Sequence, residues 1–314
     1  MDNSSSPKGW NDALAAFEEY LLVKGRAENS VSSYISSLKT FGRFYREELK
    51  KPGPYVIRLQ ETDLHAFVDY LRTSRYMSAS TVNCAISAIR AFCRFILEKR
   101  WHKRDITGGL RTYYAPPPPR PKGLSIEEVR RLIASVNLNA AHGPRDLAVM
   151  QLLIQCGLRV NELTKLLVDD IILHKSSGRI KIRDEKTRSD RFVPLNASAR
   201  QALRAYLETC GPEVSGDSPL FMSQKRKRLS VKTVQHMIKG YLCAAGRSDM
   251  SARDLRHHFA LGLYSTQKNL AIVQRLLGHR NIATTVRYIQ PTEEELSQAV
   301  EELPENIYHG ESEK

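Results

Sequence analysis

Residues 253–288 read RDLRHHFALGLYSTQKNLAIVQRLLGHRNIATTVRY, and this stretch decides the fold class and the chemistry together. Leu255, Phe259 and Leu263 recur at helical spacing, which predicts a helix over 252–264 with one core face. Arg253 and Arg256 share another face, near the positive end of that helix, where an anion is favoured. A second helix is predicted over 270–277, ended by Gly278 in a left-handed turn from which His279 projects. Tyr288 follows nine residues later, after a short helix capped near Asn281. An arginine fork matches phosphate oxygens bidentately, and histidine adds a donor or carries a proton. An activated tyrosine is a competent covalent nucleophile. Taken singly, each residue has a plainer reading: two surface arginines, a core tyrosine, and in His257 and His258 a pair of which at least one is structural.

Two upstream segments carry matching chemistry. In GLRVNEL (157–163), Arg159 follows the glycine that ends one helix, and Glu162 one turn on is placed to brace its guanidinium. Lys186 lies in EKTRSDRFVPL (185–195), at a turn between two predicted strands, where an ammonium can act as a general acid. The plainer readings are a helix-surface ion pair and a solvated turn lysine.

The proline run in APPPPRPKG (115–123) is a boundary, since four consecutive prolines neither continue a helix nor pair as a central strand. Before it, apolar residues recur at helical spacing over 10–24, 31–49, 62–73 and 80–99, which predicts a four-helix domain over 1–114. After it, Ser125 and Glu128 form a capping box, and an apolar helix over 145–156 stops at Gly157. Three short strands are expected around Ile171, Ile180 and Phe192, with Gly178 marking the first turn. Helices then return at 197–208, 231–245, 252–264, 270–277 and 292–302. The fold class is mainly α, with a small three-stranded antiparallel sheet in a second domain over 124–290 and an acidic tail over 291–314.

The net charge is +14. Residues 116–290 carry 29 Lys and Arg against 14 Asp and Glu, whereas residues 291–314 carry one against eight. A basic body suits nucleic acid, and an acidic tail suits a protein contact. Five scattered cysteines without a CxxC pair exclude a disulfide scaffold, and Cys84, Cys93 and Cys156 read as buried thiols in apolar helical patterns. The N-terminus lacks signal-peptide architecture and no run of about 18 apolar residues is evident, so a soluble, cytoplasmic protein without membrane contact is expected. No HExxH, GxxxxGK[ST] or GxGxxG pattern is present, so no metal or other cofactor is expected.

GLRVNEL, EKTRSDRFVPL, RDLRHHFA, LLGH and the late tyrosine together resemble the tyrosine recombinase family of phage integrases and Xer-like proteins. Any one of these motifs is weak, but five in the family's order and spacing are specific. The resemblance implies a SAM-like N-terminal core-binding domain, with SAIRAF (87–92) matching part of it, and a helical catalytic domain. It implies that Arg159 and Arg256 clamp the scissile phosphate, with His279 as a third donor. Lys186 would protonate the departing 5′ oxygen, Tyr288 would form a 3′-phosphotyrosyl bond, and Glu162 and His257 would support the pocket. The family's histidine three residues before the second arginine is here Arg253, which can donate to phosphate but cannot serve as a base. Candidate DNA contacts are Arg90, Lys232, Lys239 and the basic run Lys225, Arg226, Lys227 and Arg228.

The implied partners are a duplex DNA recognition site and further copies of the chain. These would form a tetramer through the C-terminal helix, with or without accessory proteins, and exchange strands through a Holliday junction in integration, resolution or mobile-element movement. Two other readings use the same residues. A type IB topoisomerase-like enzyme would relax DNA without sequence choice, and a DNA-binding regulator would keep the fold without catalysis.

Overall fold

The computed structural model describes residues 9–53, 55–116, 123–183, 190–210, 216–286 and 293–302. The chain divides into two compact units, Met1–Pro118 and Pro119–Lys314.

In the first unit, α1 (Trp10–Val23), α2 (Glu28–Glu47), α3 (Glu61–Thr73) and α4 (Ala79–Glu98) follow the apolar periodicity within a few residues. Their inward faces meet in an aromatic core. Phe17 and Phe92 stand edge to face at 5.3 Å, as do Phe41 and Phe67 at 5.2 Å. Each such ring withdrawn from water contributes about 1.5–3 kcal/mol.

By length and mean hydropathy, 1.3 over its best stretch, α4 would pass for a membrane span, although Asn83, Arg90 and Arg94 interrupt its apolar residues. Half of that stretch is buried inside the bundle, where α4 packs on α2 and α3, so its apolar face belongs to the core. Cys84 corrects an expectation: Cys93 on the same helix is buried, but Cys84 is exposed. Nine residues at about 100° each carry the two side chains to opposite faces. Arg90, expected to face DNA, is half-buried and donates to the Leu110 carbonyl, tying the chain after α4 back onto that helix.

In the second unit, α5 (Ile126–Ala134) opens with the expected Ser125–Glu128 box. The central helix α6 (Gly143–Cys156) is buried nearly all round and packs between α8 (Ala197–Thr209) and α10 (Ala252–Gln267). Gly157 ends α6 at φ +61°, and a Cβ there would stand 2.3 Å from the Phe259 ring. Only glycine suits both that dihedral and that approach. The short helix α7 (Val160–Lys165) follows, then the antiparallel sheet β1 (Ile171–Leu173), β2 (Gly178–Ile182) and β3 (Arg191–Pro194). Register is set by Ile171 opposite Ile180 and Ile180 opposite Val193. Gly178 does not sit in the first turn. It pairs with Leu173 as the first residue of β2, and the turn is closed by His174 N–H donating to Ser177.

The remaining helices are α9 (Val231–Ala244), α11 (Leu270–Leu277), α12 (Ala283–Val286) and α13 (Glu293–Glu301). Ala260, Val273 and Leu277, backed by Phe259, Leu261, Leu263 and Tyr264, form a small core that fixes α11 against α10. This places the C-terminal end of α11 beside the C-terminal end of α6.

Candidate active site

At the N-terminus of α7, the Arg159 backbone N–H donates to Glu162 at 2.8 Å and its guanidinium does so at 2.7 Å. The expected brace is present, and its scope is wider than that one arginine. Arg191 on β3 grips the same carboxylate through both Nη atoms, at 3.0 and 2.9 Å. Arg256 on α10 adds a third cation at 3.7 Å. Burial alone would raise the Glu162 carboxyl, but the hydrogen bonds and charge of Arg191, then Arg159, hold it below the usual carboxylate range.

The arginines also bind the carbonyl ends of two helices. Arg256, only 6% exposed, donates to Gly157 at 2.6 Å and to Leu277 at 2.7 Å. Arg191 Nε donates to Leu276 at 3.2 Å. These carbonyls carry the negative ends of α6 and α11, where a cation is favoured.

His279 emerges from the Gly278 turn as expected, with Gly278 at φ +63°. Arg256 Nη2 lies 3.1 Å from His279 Nε2, and His279 Nδ1 lies 2.9 Å from the hydroxyl of Thr285, which is fully buried. Burial and the charges of Arg256, Arg159 and Arg191 push the imidazole down to about 4, outweighing the opposing charge of Glu162. The ring is therefore neutral near pH 7. Since arginine only donates, Nε2 is the acceptor and the proton sits on Nδ1, donated to Thr285.

Arg159, Arg256, Glu162 and His279 are thus brought together. Two clefts meet along Arg159, Asn161, His279 and Thr284. The larger, about 970 Å³, is walled by Lys165, Lys181, Arg183, Arg191, Arg228 and Arg280. The smaller, about 610 Å³, takes Arg253, His257, Lys239 and Gln235 together with Arg256. His257 is buried, whereas His258 accepts from Leu124 N–H at 3.2 Å and is the structural member of the pair. Lys186 and Tyr288 lie outside the described residues.

Among the candidate DNA contacts, Lys239 donates to the Ser248 and Met250 carbonyls and so holds the segment between α9 and α10. Arg228 donates to Thr164 at 2.7 Å while lining the larger cleft. Lys225, Arg226, Lys227 and Lys232 are exposed.

Sequence reasoning missed Arg191 and Thr285. Arg191 sits on the same side of β3 as buried Val193, so a charge at an inward strand position was its signal. Thr285 left no such signal, because its partner is chosen by the turn after α11.

The chain matches the phage integrase family over residues 122–295 and the phage integrase N-terminal SAM-like domain over residues 14–103. It is 33% identical over 308 residues to the tyrosine recombinase XerD of Rhizobium meliloti, covering 92% of this chain and 95% of the relative. It is 31% identical over 296 residues to XerA of Thermococcus kodakarensis, covering 93% and 95%. In fold it is similar to the XerH site-specific recombinase bound to difH substrate, with a TM-score of 0.69 at 20% identity over 96% of this chain and 90% of that one. A lambda integrase dimer bound to a COC′ core site gives 0.64 at 18% identity, over 87% and 96%. The chain belongs to the phage integrase family and is a site-specific tyrosine recombinase, an enzyme that breaks and rejoins DNA.

Proposed function

We propose that Arg159 and Arg256 clamp the non-bridging oxygens of the scissile phosphate in duplex DNA, while Tyr288 attacks phosphorus and Lys186 protonates the departing 5′ oxygen. The observation that carries this reading is the convergence of Arg159, Arg256 and His279 at the meeting of two basic clefts. Phosphoryl transfer depends mainly on positioning and charge stabilisation, which fixed guanidinium groups supply.

Arg253 is always protonated and takes no proton from the phenol. His279 fills that gap. Its Nε2 is an acceptor in the free protein, so it takes the Tyr288 proton and, as imidazolium, becomes the third donor to the phosphate. Tyrosyl oxygen bonds to phosphorus as the 5′ oxygen leaves with the Lys186 proton. The 5′ hydroxyl of a second strand later reverses the step, so no phosphodiester energy is lost. Strand exchange through a Holliday junction follows from two such rounds in a tetramer. Leu296 and Val300 are exposed on α13 within the acidic tail, and that helix docks on the basic surface of a neighbouring copy. The reaction takes place in the cytoplasm.

The test is incubation with a suicide DNA site whose nicked strand dissociates after cleavage. A covalent protein–DNA adduct is expected from the wild type and none from Tyr288→Phe. An adduct from Tyr288→Phe removes Tyr288 from the role of nucleophile.

A further inference from the structure

We propose that Arg191 is a positioning residue for strand cleavage, coupling Glu162 to the C-terminal end of α11 so that Arg159, Arg256 and His279 are held in register without Arg191 itself touching DNA. This rests on the reading of those three residues as the phosphate site.

Three features of Arg191 carry it. Its fork takes both oxygens of Glu162, so the carboxylate that Arg159 and Arg256 also approach is fixed in one orientation. Its Nε holds the Leu276 carbonyl, one residue before the Leu277 carbonyl that Arg256 binds. The guanidinium also lies against Gly278, where a Cβ would stand 2.7 Å from Nη1. A side chain at 278 would displace the fork, and removing the fork would release the turn that aims His279. Arg191 therefore joins a strand to the helix start that carries Arg159 and to the helix end that carries His279 and binds Arg256 through the Leu277 carbonyl.

The charge balance points the same way. Arg159, Arg191 and Arg256 against Glu162 leave a net +2 around a neutral imidazole. Cleavage passes through a phosphorane-like state with more negative charge than the ground-state diester, so this surplus acts where charge develops. Without Arg191, Glu162 would neutralise a phosphate-binding arginine instead. Among the described residues, the charged groups acting on His279 are Arg256 from α10, Arg159 and Glu162 from the start of α7, and Arg191 from β3, with Arg253 and His257 lining the adjoining cleft.

The test compares wild type, Arg191→Gln and Arg191→Lys by three readouts: single-turnover adduct formation on the suicide site, DNA affinity against salt, and the His279 titration by NMR. Arg191→Gln is expected to form adduct about 100-fold more slowly, as for a small misplacement of reacting groups. Its DNA affinity should stay within about twofold with an unchanged salt slope, since no phosphate contact is lost. Its His279 titration should move up. Arg191→Lys keeps the charge but not the fork, so His279 should titrate as in wild type while cleavage stays slow. A wild-type cleavage rate in either folded variant overturns the proposal. So does a parallel fall in affinity and salt slope, which makes Arg191 a DNA ligand, and so does failure of both variants to fold, which makes it a stability element. Absence of adduct from the wild type would instead sink the proposed function, leaving the His279 titrations to decide the coupling.

Discussion

Arg256 Nη2 and His279 Nε2 stand 3.1 Å apart, with the arginine donating and the imidazole accepting. Burial, and then the charges of Arg256, Arg159 and Arg191, hold His279 in the neutral form.

His279 should titrate near pH 4 in the DNA-free protein, against about 6.5 for an unfolded chain. Between those values the unfolded chain binds more protons, so stability rises with pH. The contribution is complete above about 6.5 and is lost as pH falls through about 4. Sulfate or phosphate in the site should raise the titration midpoint by offsetting the guanidinium charge. Ring-nitrogen NMR across roughly pH 3–8, which brackets both midpoints, with and without sulfate, checks this. A midpoint near 6.5 without anion would contradict the burial and charge described for the ring.

Glu162→Gln removes the one carboxylate shared by Arg159, Arg191 and Arg256. Breaking one side of such a partly buried network is expected to cost about 3 kcal/mol in urea unfolding and to slow adduct formation. Because the folded carboxyl titrates below its usual range, the wild-type benefit is present above the unfolded value of about 4.3 and is lost as pH falls through the folded one. A loss under about 0.5 kcal/mol, the scatter of surface substitutions, would rule out this central role.

Gly157→Ala places a methyl 2.3 Å from Phe259 in a backbone conformation of φ +61°. The conformation alone costs about 1–2 kcal/mol, and the displaced Phe259 ring adds to it. Thermal unfolding should show a clear drop in Tm. Adduct formation should fall as well, since the Gly157 carbonyl is an anchor of Arg256.

Arg253→His installs an imidazole, whose unperturbed pKa is about 6.5, in place of a permanent cation in the cleft that also holds Arg256 and His279. The pH–rate profile of cleavage should gain a limb absent from the wild type. Superposable profiles would place residue 253 outside the proton path and the phosphate site.

Arg90→Ala and Lys232→Ala should separate structure from DNA contact. Arg90 bonds the Leu110 carbonyl, so its loss should lower stability by about 1 kcal/mol and leave the salt slope of binding unchanged. Lys232 is exposed on α9, and its loss should leave Tm unchanged while reducing the salt slope by about 0.9 if it neutralises one phosphate. Equal behaviour of the two variants in both assays would refute the distinction.

Much of the fold was legible because each helix carries its own signal. The faces of α1 to α4, the Ser125–Glu128 box and the glycine stops at 157 and 278 are local patterns enforced by helix geometry and burial. Cys84 misled because an apolar neighbourhood in sequence says little about which face a single residue takes. Gly178 misled because glycine serves a close-packed strand start as readily as a turn. Arg90 and Lys239 looked like free surface cations, since the carbonyls that bind them lie 20 and about 10 residues away.

By itself, the sequence singled out Arg159, Arg256 and His279 as the candidate phosphate-binding set, because they stand in ordered motifs whose helix starts and stops are local. Only the tertiary structure decided their protonation and their support. Packing of α11 on α10 and β3 brings Arg191, Thr285 and the Leu276 and Leu277 carbonyls to the site. A hydrogen bond and a pKa depend on distance and burial, and for residues as far apart in sequence as Arg191 and Leu276, 85 positions, those are set by the folded core.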